Sequence, residues 1–256
     1  MRLSFILLAA LMASEAGAIE ISSVYREVSY SGGLENPDMM SGFASSSAVG
    51  VFSESFSDSL SVPPNELAGA DVSQVSSVVI QGGALFVDVT SESGAYATTL
   101  AEGLIADAYA SSTLAVVFTT SETMRLSVHL AVSSSLGVFY DGPGAGEVAS
   151  SHIGSLLLCL SGVGCLADIE VQDFTDNGQA VANGIFDSID IPPGTYQLGL
   201  IADSAVISRD EGSSLGGAEF SGYIAVEPLP EPGPGAMWLA GIAFLATRQR
   251  SRARGR

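Results

Sequence analysis

A few groups of residues carry atoms from which a site could be built. Cys159 and Cys165 are the two cysteines, and they flank Ser161-Gly162-Val163-Gly164. On paired strands in an oxidising compartment they would form a disulfide closing a short loop. The chain-entropy treatment gives roughly 2–3 kcal/mol for such a loop. A reactive thiol would leave the second cysteine without a role. His129 and His152 are the two histidines. With carboxylates they have the donor types of a metal site, but nothing in their spacing supports one, and both read as solvent-exposed. Gly212-Ser213-Ser214-Leu215-Gly216 satisfies G-x-S-x-G. A nucleophile elbow needs a strand before it and a helix after it. Gly217-Ala218 and a strand follow instead, so a Ser-rich loop is expected. Asp173, Asp176 and Asn177 place oxygen ligands in one turn, a chemistry suited to Ca²⁺, but without EF-hand spacing. Asp187 with Asp190, and Asp210 with Glu211, offer carboxylate pairs of the kind used in glycoside hydrolysis. In a chain with 28 acidic residues such proximity is expected by chance.

The elements that must position these residues are set by the ends and by the charge. Residues 1–18 read MRLSFILLAALMASEAGA. Arg2 is a positive start, Leu3 to Met12 an apolar core, and Ala16-Gly17-Ala18 an A-x-A cleavage site. The run is too short to span a bilayer, so a signal helix is expected and the mature chain should begin near Ile19. The chain has no lysine, and from Ile19 to Val226 its basic residues are Arg26, Arg125 and Arg209. The formal net charge of −19 therefore understates the acidity of the exported part. Such a surface excludes nucleic acid, whose phosphates are held by Lys and Arg. It can attract divalent cations.

The last thirty residues have three parts. Pro228-Leu229-Pro230-Glu231-Pro232-Gly233 is a Pro-rich acidic knot, Ala236 to Thr247 is apolar, and Arg248, Arg250, Arg252, Arg254 and Arg256 form a basic end. The prolines stop any helix from extending back through the knot. Trp238 sits where an interfacial aromatic belongs, and the arginines should stay cytoplasmic. The run is shorter than the roughly 17–25 residues of a full span, which suits a marginal, temporary anchor.

This tail resembles the PEP-CTERM sorting signal of Gram-negative bacteria. Pro230-Glu231-Pro232 matches the name-giving triplet, Gly233 follows as is common, and the apolar run and Arg end complete the pattern. The resemblance covers about the last tenth of the chain. Pro234-Gly235 after the triplet departs from the pattern and shortens the helix. The resemblance implies processing by an exosortase-type membrane protease, with removal of the helix, often in bacteria that make exopolysaccharide.

Between the ends, strand-like runs alternate with Gly, Ser, Asp and Asn. Val72 to Ile80 and Ala84 to Thr90 are joined by Gln81-Gly82-Gly83, which reads as a hairpin. Leu114 to Thr120 is a continuous apolar run. Met124, Leu126, Val128, Leu130 and Val132 share one face by alternation. Leu136 to Tyr140, Ser155 to Leu160, Leu166 to Val171, Ile185 to Ile191, Thr195 to Ile201 and Gly216 to Val226 complete the set, with a turn at Pro192-Pro193-Gly194. Glu92 to Ala110 is the least strand-like stretch, and leaves room for a short helix or loop. Many short strands at regular spacing predict an all-β fold, an antiparallel, jelly-roll-like β-sandwich, with a signal helix before it and a transmembrane helix after it. The expected organisation is 1–18 signal peptide, 19–226 acidic ectodomain and 227–256 sorting tail. The expected function is a surface or extracellular-matrix protein, structural or adhesive, linked to exopolysaccharide and without catalysis or cofactor. A Ca-dependent carbohydrate-binding module and a secreted glycan hydrolase are the alternatives.

Overall fold

The computed structural model describes residues 19–34, 39–62, 66–140, 149–160, 164–173 and 181–229. Of these, 102, 136, 138–140, 149–160, 164–173, 181–187 and 210–211 are described by their backbone alone. The strands are β1 (Ile19–Leu34), β2 (Met39–Ser46), β3 (Gly50–Val62), β4 (Glu66–Gln81), β5 (Ala84–Thr120), β6 (Met124–Tyr140), β7 (Ala149–Leu160), β8 (Gly164–Asp173), β9 (Val181–Ile191) and β10 (Gly194–Pro228). No helix occurs among the described residues. Every pairing is antiparallel, and the described residues are all-β as the sequence predicts.

Two strands dominate. β5 has 37 residues and β10 has 35, and they pair with each other over nearly their whole length. Each serves two layers. The first half of β5 and the second half of β10 lie in the order β3-β4-β5-β10-β6-β9. The second half of β5 and the first half of β10 lie in the order β2-β1-β5-β10-β7-β8. Between the halves the register jumps from Arg209↔Ile105 to Glu211↔Leu100, so residues 101–104 stand against Asp210 alone. Gly103 lies in this jump with φ +84, where a Cβ would be strained. β10 doubles back at the same level. Ser208 Oγ donates to the Gly212 carbonyl at 2.7 Å, and Ser214 Oγ to that of Ile207 at 3.4 Å. The two layers therefore face each other, with β1 packed on β3 and β4.

Side-chain size along β5 falls toward the fold line. Beside the fold line the buried residues of β5 are small: Ala95, Ala97, Ala106, Ala108 and Ala110, packed with Leu34, Met40 and Phe52 of other strands. There Ser93 Oγ lies 3.0 Å from Ser204 Oγ, and Thr99 Oγ1 lies 3.1 Å from Ser208 Oγ. Farther away Leu85, Leu114, Phe118, Tyr196, Leu198 and Leu200 fill a wider core. Interiors are close-packed, so the small β5 residues leave room for Leu34, Met40 and Phe52 from the neighbouring strands. This removes the helix or loop for which Glu92 to Ala110 left room. The stretch is strand throughout, and its Ala, Ser and Gly, weak strand formers alone, fit where the layers close.

Other expectations hold in detail. Gly82 and Gly83 have φ of 61 and 79, as a type I′ hairpin turn requires. Met124, Leu126, Val128, Leu130 and Val132 are all buried. The Leu114 to Thr120 run resolves into alternation, with Leu114, Val116 and Phe118 fully inside.

The turn at Pro192-Pro193 carries the chain from the outer strand β9 of one layer to the middle of the other. Tyr196 pins it. Its buried ring stacks on Phe118 with centroids 5.5 Å apart, and its O–H donates to the Pro192 carbonyl at 2.6 Å. Thr120 Oγ1 donates to the same carbonyl at 3.3 Å. Tyr196→Phe keeps the stack and removes the shorter bond. We expect it to cost about 1 kcal/mol in urea unfolding. An unchanged midpoint would mean that Thr120 holds the turn alone.

Candidate functional site

The structure separates the sequence candidates. Cys159 stands opposite Cys165 in the β7–β8 ladder, beside a register shift after Leu158; their side chains lie outside the described residues. His152 is in β7, and its side chain is likewise outside them. His129 differs from the expectation of a solvated side chain. It is half-buried and stacks on Tyr223, centroids 4.6 Å apart and planes 20° apart. Tyr223 is its partner across the β6–β10 ladder, a pairing of residues far apart in sequence. Gly212 to Gly216 lies within β10, not in a loop. Strand runs on both sides, so no strand-to-helix elbow forms, and Ser214 is buried. Of the turn at Asp173 to Gly178, residues 174–180 lie outside the described residues. Asp187 faces Val128 in register, with its side chain undescribed. Asp190 is exposed and pairs with Arg125 at 3.0 Å, a surface ion pair of small worth. Asp210 and Glu211 fall at the register jump, again with undescribed side chains. The signal segment 1–18 with Ala16 and Ala18, and the tail from Pro230 to Arg256, lie outside the described residues. Among those residues no helix is long and apolar enough to cross a membrane, and no group of three or more His, Cys, Asp or Glu is placed to hold a metal ion.

Three features emerge that the linear sequence did not single out. The first is Arg26. It is 0% exposed, and its guanidinium donates to the Ala48 carbonyl and, at 2.7 Å, to the Gly50 carbonyl. Its Cζ lies 5.9 Å from the Phe52 ring centroid. These carbonyls belong to the crossover from β2 to β3, which joins the layers. Burial lowers the Arg26 pKa from its ordinary value.

The second is a group of acids and phenols on the outer face of the β1-containing layer. Burial raises the Asp203 pKa; hydrogen bonds from Ser111 and Tyr109 oppose this, and the nearby Glu27 charge adds to it. Burial likewise raises Tyr109 and Asp107. Glu27 accepts hydrogen bonds from Tyr25 and, at 3.4 Å, from Ser29.

The third lies on the opposite outer face, where β10 is flanked by β5 and β6. A trough of about 210 Å³ holds Glu92, Glu219, Gly94, Gly217 and Ser133 to Ser135. Glu92 and Glu219 are directly opposite in register, an unfavourable placement for like charges. Ser133 donates to Glu219 at 3.4 Å. A wider groove, about 380 Å³, runs beside Tyr223.

No family model matches the chain, and no curated protein matches it. Among solved structures, that of the infectious bursal disease virus Gx strain is 9% identical with a TM-score of 0.19, covering 91% of this chain and 74% of that one. The Gt strain structure of the same virus is 11% identical with a TM-score of 0.18, with the same coverage. Likenesses this weak carry no argument.

Two tests follow. Arg26→Ala removes a buried side chain and its bonds to two carbonyls at an exposed and a half-buried residue, and should cost about 2–3 kcal/mol. Arg26→Lys should recover little, because an ammonium has no planar fork to span both acceptors. Denaturant unfolding that shows less than about 1 kcal/mol lost would mean that Arg26 does not hold the crossover. For Asp203, a raised folded pKa means that the folded state holds its proton more tightly than the unfolded one. That contribution is present at low pH and is lost as pH rises from about 3.8 through the folded value. Asp203→Asn should flatten this falling limb and raise the neutral-pH melting temperature. A variant whose stability profile overlays the parent's would show that Asp203 does not govern it.

Proposed function

We propose that the chain is an exported surface or extracellular-matrix protein with a structural or adhesive role, held at the membrane by its C-terminal helix until an exosortase-type protease acts at Pro230-Glu231-Pro232-Gly233. The three-part tail carries this reading. Support comes from its junction with the fold. β10 pairs with β5 as far as Val226 and with β6 as far as Pro228; Leu229 alone separates it from Pro230. The sorting motif thus follows a fixed strand without an intervening linker. In this reading residues 1–18 export the chain, Arg248 to Arg256 stop it, and residues 19–226 form a jelly-roll-like sandwich delivered to the envelope or an exopolysaccharide. Cys159 and Cys165, opposite in register, form its disulfide staple once outside the cytoplasm.

Mass spectrometry of the mature protein's C-terminal peptide, isolated from its host, decides the sorting. A terminus between Pro230 and Gly233, with Trp238 gone, is the expected result. An intact Arg-rich end in the membrane fraction would reduce the tail to a plain anchor.

A further inference from the structure

Along the outer face of the first layer one row of residues runs across five strands. Val51 pairs with Ser77, Ser77 with Asp88, Asp88 with Tyr223, and Tyr223 with His129. Tyr223 is 44% exposed, and one face of its ring is fixed against His129. The groove beside it is lined by Tyr223, Asp88, Thr90, Ser77, Val75 and Val51, among others, and not by His129. Val51 and Val75 are 77% and 52% exposed, so the core does not use them.

We propose that this groove binds a neutral polysaccharide chain, with one pyranose ring laid on Tyr223 and its hydroxyls held by Asp88, Thr90 and Ser77. A pyranose has a face rich in C–H and a rim of hydroxyls. The groove offers the complement: an aromatic wall, aliphatic valines and a floor of carboxylate and hydroxyls. An ionised Asp88 only accepts hydrogen bonds, so the ligand must donate, as sugar hydroxyls do. A carboxylated, sulfated or phosphorylated polymer would meet Asp88 and a chain of net charge −19, both repulsive. The groove is open, which suits a segment of a long chain. Stacking on His129 fixes Tyr223 before the ligand arrives, which lowers the cost of ordering it. This deepens the matrix role proposed above by naming the polymer class, and it depends on that role for its setting, not its geometry.

Affinity electrophoresis of the full chain tests it, in native gels containing dextran, laminarin or galactomannan, with alginate as the acidic control. Retardation by at least one neutral polymer, unchanged by EDTA and absent with alginate, is expected. Tyr223→Ala should weaken it about tenfold, equivalent to about 1.4 kcal/mol. Tyr223→Phe should stay within about twofold, because the ring supplies the contact. Equal melting temperatures would show that the variants are folded. No retardation in any neutral gel, chelator-sensitive retardation, equal binding by a folded Tyr223→Ala, or preference for alginate or for added polylysine would each overturn the proposal. Tail processing does not enter this readout. An unprocessed tail with intact glycan binding would sink the sorting reading alone, and a processed tail without glycan binding would sink this one alone.

Discussion

The ladder between β5 and β10 is the constraint on which the other strands depend. Each layer is completed by adding β4 and β3, or β1 and β2, to one side of it. To the other side it adds β6 and β9, or β7 and β8. Because both long strands pass from one layer to the other at the same level, the layers cannot slide independently. The register jump at Arg209/Glu211 sets how far the chain folds over. Near the fold line β5 turns alanine, serine and threonine inward, and farther along it turns in Leu85, Leu114 and Phe118. Packing density and topology are here one fact seen twice.

What was legible in the sequence is what local chemistry determines. The alternation from Met124 to Val132, the glycines at 82 and 83 and the Pro192-Pro193 turn each carry their meaning within a few residues. The stretch from Glu92 to Ala110 does not. Alanine and serine in alternation look weak as a strand until the second layer is placed against them. The same holds for the groove and the trough. Tyr223 meets His129, and Glu219 meets Glu92, only because β10 returns beside both β5 and β6. No spacing in the linear chain encodes those distances. The tail is the opposite case, since its order of knot, apolar run and arginines is complete within about thirty residues.

Charge is divided in an unusual way. A chain this poor in basic residues buries Arg26 completely and gives it backbone carbonyls as acceptors. A guanidinium that spans Ala48 and Gly50 fixes the chain where it changes layer. An apolar side chain there would remove both of these bonds. Asp203 and Asp107 lie on an outer face, where burial by the neighbouring strands partly desolvates them.

The way β10 ends also governs how the fold meets force. A pull on Pro228 runs along a strand bonded on both sides, to β5 from Leu85 onward and to β6 from Met124 onward. Such a load is shared by many hydrogen bonds in shear at once, instead of opening them singly from a free edge. A domain tethered by this terminus would resist drag better than one held by an edge strand, and would yield first at edges distant from the tether.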